Sequence, residues 1–393
     1  MRGLARREGA PCYVTTPGHG LEESFMKSRF VHVIGTRPNI PKAAPVIRAL
    51  NQQQVDQLVV HTGQHYDDAL SASLLRDLGM PEPAINLGVG SGSHTQQIAR
   101  VIESISPVLV NSNPTSVIVY GDVNSTLAAT LAAVHLGLPV AHVEAGLRSH
   151  DMSMPEEINR RMVDHASAQL FATCEDAVGN LAHEGIEGSR IYLVGNPMID
   201  SLRFVQNHAD LDQERDKLKL PSEYALVTLH RPSNVDDPER VAQIGLTLNQ
   251  MAECIPIVLP AHPRARQGLE AVVHHAAIRL IDPLGYGAFL ATMETATLVL
   301  TDSGGVQEET SVLGVPCLTV RPNTERPITI RAGTNVLVEL ADILPAVDRI
   351  LSQRPPSPTP ISLWDGNAGT RISQALVDGN ESAWAFMKGA GSR

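Results

Sequence analysis

Residues 136–162 read LGLPVAHVEAGLRSHDMSMPEEINRRM. The apolar run LGLPVAHV stops at Glu144, and Arg148, Glu156, Glu157, Arg160 and Arg161 follow within a short polar segment. An apolar run that ends on a charge reads as a buried strand emptying into a cleft. In open parallel sheets, ligand sites lie beyond the carboxyl ends of the strands. Carboxylates crowded with arginines at such a place point to acid–base chemistry on an anionic substrate.

The same strand-then-helix alternation extends to both sides. FVHVIG, QLVVHT, SVIVYGD, PVAHVE, AQLFATC and RIYLVG read as strands of a first series, with helices such as Pro38–Leu50 and STLAATLAAVHLG between them. YALVTLH, IPIVLPAH, IRLID, TLVLTD and VPCLTV form a second series. Alternation of this kind implies parallel sheets with right-handed crossovers. Two runs of it predict an α/β chain with two doubly wound, Rossmann-like domains and a cleft between them. The expected division is a Rossmann-like domain over 28–200 and a second over 201–370, joined near Asn196–Phe204. A helical segment over 371–393 follows, placed to pack back on the first domain. Residues 1–27 are polar and lack periodicity, and are expected to be a disordered tail.

Composition agrees with this frame. A chain of 393 residues exceeds one ordinary core. With 43% hydrophobic but only 4% aromatic residues, its cores are built from Val, Leu, Ile and Ala, which suits parallel sheets covered by helices. A formal net charge of −11 supplies no basic surplus for nucleic acid or an anionic membrane. Cys12, Cys174, Cys254 and Cys317 are scattered without a CxxC pair. No apolar run approaches the ~20 residues of a membrane span, and the amino end carries no secretory signal pattern. Cytoplasm is the expected location.

Further motifs sit at strand ends. Gly35-Thr36-Arg37-Pro38 follows the first strand, with free helix-start N–H groups, Arg37 and Lys42 as a possible anion site; an ordinary turn with surface cations is the plainer reading. Asp302-Ser303-Gly304-Gly305 opens a helix carrying Glu308 and Glu309. Capping by Asp302 or Ser303 explains part of it. Two consecutive glycines weaken a helix start unless close approach of a group such as phosphate is wanted. Thr324-Glu325-Arg326-Pro327 adds a cation from a loop, and His230 ends the strand YALVTLH, where an imidazole serves as acid or base near neutral pH. No HExxH cluster, GxGxxG fingerprint, P-loop or GxSxG elbow is present at the expected places, so neither metal nor cofactor is expected.

Together GTRPNIPKAAPVIRAL, TGQHYDDALS, VYGDVNSTLAATLAAVHLGLPVAHVEAGLRS, MPEEINRRMVDH, VGNPMID, VTLHRPSNVD and DSGGVQEETSVLGVPCLTVRPNTERP resemble the non-hydrolysing UDP-N-acetylglucosamine 2-epimerases, in order from about Phe30 through the second half. The resemblance implies two Rossmann-like domains of glycosyltransferase-B type with a UDP-sugar between them. It also implies reversible epimerisation of UDP-GlcNAc and UDP-ManNAc by elimination of UDP, a bound 2-acetamidoglucal and re-addition. By motif it places the catalytic groups on Asp122, Glu144, Glu156 and His230. The UDP ligands fall on Arg37, Lys42, Arg160, Ser303, Gly304, Gly305, Glu309 and Arg326, with Glu309 at the ribose and Phe289 near the uracil. A homodimer is the expected assembly. A hydrolysing 2-epimerase, a glycosyltransferase of similar fold and a non-catalytic UDP-sugar sensor remain as alternatives. Asn39, Tyr66, Pro232 and a short segment between Arg148 and Pro155 depart from many bacterial members, in regions where those bind a second, activating UDP-GlcNAc. Simple saturation kinetics are therefore expected.

Overall fold

Seven parallel strands form one sheet of this computed structural model, which describes residues 30–63, 68–353 and 358–387. They are β1 (Phe30–Ile34), β2 (Gln57–His61), β3 (Ile85–Asn86), β4 (Ser116–Tyr120), β5 (Val140–Ala145), β6 (Gln169–Ala172) and β7 (Ile191–Leu193), in the order β3-β2-β1-β4-β5-β6-β7. Six more form a second parallel sheet: β8 (Ala225–Thr228), β9 (Ile257–Pro260), β10 (Ile278–Ile281), β11 (Leu298–Thr301), β12 (Cys317–Val320) and β13 (Asn335–Val338), in the order β10-β9-β8-β11-β12-β13. The two orders are the same doubly wound arrangement used twice. Each reverses direction at one place, between β1 and β4 and between β8 and β11, and such switch points open a crevice at the strand ends.

The central strands read as continuous apolar runs because helices cover both faces. Every residue of β1, β4, β9 and β11 is buried. β3 and β13 were not among the sequence-expected strands. Both are edges, β3 of two residues and β13 with alternating exposure, so neither carries the long apolar run of a central strand. SVIVYGD ends as a strand at Tyr120 because Gly121 turns left-handed at φ +63°. The helix expected from Pro38 begins as a short 3-10 turn, Arg37–Asn39, and continues as Ile40–Gln52.

One hydrophobic cluster runs from Phe30, Ile34 and Ile118 of the first sheet through Leu202 and Val205 to Leu226, Val258 and Val299 of the second. Helix Ala368–Asp378, late in the chain, lies against helix Ile40–Gln52. A Cβ on Gly369 would stand 2.7 Å from the Pro45 carbonyl, and Gln53 Nε2 donates to Ser373 Oγ at 2.9 Å. The Asp200 carboxylate accepts the first N–H groups of that helix, Ala368 at 3.1 Å and Gly369 at 2.7 Å. The expected tail over 1–27, and Gln64 to Tyr66, lie outside the described residues. Among the described residues no helix is long and apolar enough to cross a membrane.

Candidate active site

The first wall of the cleft is built at the ends of β1, β4 and β5. Beyond β1, Asn39 Oδ1 accepts the N–H groups of Gly35 at 3.0 Å and Thr36 at 3.1 Å, while Asn39 Nδ2 donates to the Tyr120 carbonyl at 2.8 Å. This clamp joins the turn after β1 to the end of β4. An ionised glutamate at the position has no donor for the third bond. Arg37 stands half-buried on this turn, and Lys42 is buried one turn into the following helix, ion-paired with Glu144.

Glu144 itself has φ +72°, and the β5–β6 register slips between Val143 and Ala145. A left-handed non-glycine costs about 1–3 kcal/mol and persists only where its surroundings over-determine it. Here the surroundings are two cations. One carboxylate oxygen meets Lys42, and the other accepts from Arg326 Nη2 at 3.0 Å, from the second wall. Gly121 makes the space. A Cβ there would lie 2.8 Å from Lys42 Nζ and 3.1 Å from Glu144 Oε2, on a backbone that glycine alone adopts cheaply.

Behind Glu144 is a buried support. His142 Nδ1 lies 2.7 Å from Asp164 Oδ1, and His142 Nε2 lies 2.8 Å from the Gly121 carbonyl. Asp164 also pairs with Arg148 at 2.7 Å and accepts the Gly146 N–H at 3.1 Å. Burial alone would push Asp164 up, but His142 and Arg148 hold it below the usual carboxylate range.

Asp122 follows β4 and accepts from Arg160, whose Nε lies 3.2 Å away. Burial opposes its ionisation, and the charges of Arg160 and Lys42 outweigh that, so it stays below its ordinary value. The adjacent pair Glu156–Glu157 divides clearly. Glu157 is buried and accepts from Ser149 N–H at 2.9 Å and Arg160 Nη1 at 2.6 Å. Glu156, in the first turn of helix Pro155–Ala166, is half-buried with no hydrogen bond or ion pair among the described residues.

The second wall is built at the ends of β8, β11 and β12. His230 Nδ1 lies 3.0 Å from Asp302 Oδ1, with its side chain 40% exposed. Asp302 also accepts the Arg231 N–H at 2.9 Å and Asn234 Nδ2 at 3.0 Å. It therefore ties β8 to β11 across the switch point and is not a helix cap. Ser303 precedes helix Gly304–Leu313, and its hydroxyl caps nothing. A Cβ on Gly304 would lie 2.6 Å from Arg326 Nη1 and 3.0 Å from Glu325 Oε1. On Gly305 it would reach Met198 Cε at an ordinary 3.4 Å. The close approach is thus at Gly304, and the group that approaches is a guanidinium.

Arg326 joins the walls. Besides Glu144 it meets Glu325, and its Nε lies 2.8 Å from Glu308 Oε1. Glu308 is 1% exposed. Burial pushes it up, to about 7, against the pull of Arg326. Burial also raises Glu309 to about 7, and Glu309 accepts from the Tyr286 hydroxyl at 2.7 Å. Burial, then His230 and Arg37, lower the His262 imidazole, which places Arg37 opposite the histidines of the second wall. Phe289 is half-buried on helix Tyr286–Glu294, packed on the main cluster.

A family model described as UDP-N-acetylglucosamine 2-epimerase matches residues 48–377. The UDP-N-acetylglucosamine 2-epimerase of Methanocaldococcus jannaschii is 39% identical over 361 residues, covering 88% of this chain and 98% of that protein. The chain belongs to the UDP-N-acetylglucosamine 2-epimerase family. Within that family, the UDP-2,3-diacetamido-2,3-dideoxy-D-glucuronate 2-epimerase of Pseudomonas aeruginosa is 41% identical over 319 residues, 80% of this chain and 89% of that one. A crystal structure of the M. jannaschii epimerase in complex with UDP-GlcNAc and UDP superposes with a TM-score of 0.82 at 39% identity, covering 89% of this chain and 99% of that one.

The geometry gathers Lys42, Asp122, Glu144, Arg160 and Arg326 into one charged cluster. Glu156 and Phe289 have no hydrogen bond or ion pair to it. Three residues of this epimerase were passed over as candidates in the sequence: Glu308, His142 and Asp164. His142 was legible in principle, because a histidine inside a fully buried strand needs partners on both ring nitrogens. Adjacent Glu308 and Glu309 resemble a solvated helix face, yet both are buried.

Proposed function

We propose that the cleft interconverts UDP-GlcNAc and UDP-ManNAc by elimination of UDP and its re-addition through a bound 2-acetamidoglucal. One observation carries the reading: Glu144, buried on a strained backbone, stands between Lys42 of one wall and Arg326 of the other. A carboxylate base thereby meets, at one point, the cations that a departing diphosphate needs. The proton at carbon 2 is weakly acidic, and epimerisation requires groups on both faces of that carbon. We assign this work to Asp122, Glu144, Glu156 and His230. Asp122, held ionised beside Arg160, enters as a base. His230 is oriented through Nδ1 by Asp302, which leaves Nε2 for proton exchange.

Charge on the leaving UDP falls to Arg37, Lys42, Arg160 and Arg326, and to the N–H groups at Ser303, Gly304 and Gly305. Glu309 takes ribose hydroxyls beside Tyr286, and Phe289 flanks the uracil. This scheme assigns no step to a metal or cofactor. Domains over 28–200 and 201–370 would close on the substrate, and a cytoplasmic homodimer is part of the same reading. Incubation with UDP-GlcNAc in deuterated water, followed by NMR, tests it. UDP-ManNAc with deuterium at carbon 2 of both sugars is expected. Accumulation of free ManNAc and UDP would establish a hydrolysing enzyme instead. A bound but chemically unchanged sugar would establish a sensor.

A further inference from the structure

Among the buried carboxylates around Arg326, Glu308 has no work in the scheme above and, unlike Glu325, no hydrogen bond. It is held on helix Gly304–Leu313, and Arg326 Nε stands 2.8 Å from its Oε1 without the alignment of a hydrogen bond. Both Glu308 oxygens and Arg326 Nε lack hydrogen-bond partners among the described residues. The charged groups that face Glu308 come from three other elements: Arg326 from the loop beyond β12, Glu144 from β5 and Lys42 from helix Ile40–Gln52. Glu309 is its charged neighbour on its own helix. Beyond these, Glu325 and Asp122 act on the same Arg326.

Glu144 and Glu308 therefore share one guanidinium, each within 3.0 Å of it. That sharing ends when a diphosphate arrives. The phosphates compete for Arg326 and Lys42, the same two cations that allow Glu144 and Glu308 to be ionised side by side. Two buried carboxylates whose counter-charges are drawn off cannot both stay ionised. Glu308 has a contact ion pair with Arg326 alone and no aligned hydrogen bond, with Lys42 acting on it from farther off, whereas Glu144 has contacts to both Lys42 and Arg326.

We propose that Glu308 is a proton-loading positioning residue: binding of a nucleoside diphosphate at this site draws one proton from solvent onto the Glu308 carboxylate and leaves Glu144 as the ionised base. The step forms one O–H bond on Glu308, with the proton taken from water or buffer, and breaks no bond in protein or nucleotide. It rests on the nucleotide-site reading above. Burial already favours the neutral form of Glu308, so a modest withdrawal of positive charge completes the change. Neutral Glu308 also gains an O–H donor among groups that otherwise offer it none.

Calorimetric titration of the full chain with UDP at pH 8, in buffers of different ionisation enthalpy, counts the protons. UDP is fully ionised at that pH, so its own titration does not contribute. Uptake of roughly half a proton to one proton per UDP is expected in the wild type. Glu308→Gln abolishes it. The wild type supplies a readout that does not depend on a variant folding. Its UDP Kd rises by up to about tenfold per pH unit above pH ~7.5. Binding without proton uptake, a flat Kd profile, or uptake that survives Glu308→Gln overturns the inference. Absence of UDP binding would remove the nucleotide-site reading itself, and this inference with it.

Discussion

The two walls of the cleft handle charge differently. On the first wall the acidic groups that line it are mostly answered by cations from neighbouring elements: Asp122 by Arg160, Glu157 by Arg160 and Arg161, Glu144 by Lys42, and Asp164 by His142 and Arg148. On the second wall Asp302 and Glu325 are answered by His230, Arg321 and Arg326, but Glu308 and Glu309 are buried with their carboxyls pushed up to about 7, and neither Glu308 oxygen has a hydrogen bond among the described residues. The first wall is built to keep its charges fixed. The second adds to its fixed charges two carboxyls that burial lifts toward the neutral form. In the proposed elimination, the fixed carboxylates would serve as bases and the raised pair would adjust to an arriving polyanion.

The sharpest way to break this contrast is to neutralise the fixed charges. Asp122→Asn, Glu144→Gln, Glu156→Gln and His230→Asn are each expected to lower turnover by roughly 10²–10⁴-fold, the scale for losing a positioned acid or base. Circular dichroism separates this from unfolding. A variant that keeps near wild-type turnover drops out of the catalytic set.

A second break aims at the support behind the first wall. Asp164→Asn leaves buried His142 without its carboxylate and buried Arg148 with Glu184 alone, and is expected to cost about 3 kcal/mol of stability in urea unfolding. The effect has a pH signature. The folded-state value of Asp164 is depressed, so its contribution is fully present above the ordinary carboxylate value of about 3.9 and is lost as pH falls through the lower, folded value. A variant as stable as the wild type at pH 7 would show that the pair is dispensable.

The smallest effect, of opposite sign, belongs to the second wall. Glu308 is raised, so the folded protein resists its ionisation while the unfolded chain does not. Wild-type stability is therefore eroded as pH climbs from about 4.5 to about 7. Glu308→Gln is expected to gain roughly 1–3 kcal/mol at pH 8, with the gain vanishing near pH 4.5. Equal gain at both pH values would mean that packing, and not charge, is responsible.

Much of this arrangement was legible from residue order alone. Glu144, Asp122 and His230 stand at or just beyond the ends of apolar runs, and in a parallel sheet that places them at the cleft. The contact between Arg326 and Glu144, 182 residues apart, was not legible, because it depends on how two separately wound sheets meet. Nor was the bulge that strains Glu144, since HVEAG has the pattern of any buried strand. Gly304 shows a partial success. Its doublet signalled a close approach, but sequence could not reveal that a protein guanidinium, placed by a loop beyond the next strand, is what comes near. Asn39 looked like a departure from many relatives and proves to be a turn clamp that accepts two N–H groups and donates one.

Helix Ala368–Asp378 completes the layer that covers the first sheet, with its opening N–H groups held by Asp200 and its glycine seated on Pro45. The first sheet is therefore finished by residues made much later, Gln53 and Ser373 being 320 positions apart. During synthesis the first sheet waits, with one flank of helix Ile40–Gln52 uncovered, while the whole second sheet is made. Folding of the first sheet is thus incomplete until this helix has been made, and a product that lacked only this helix would carry its defect in the first sheet.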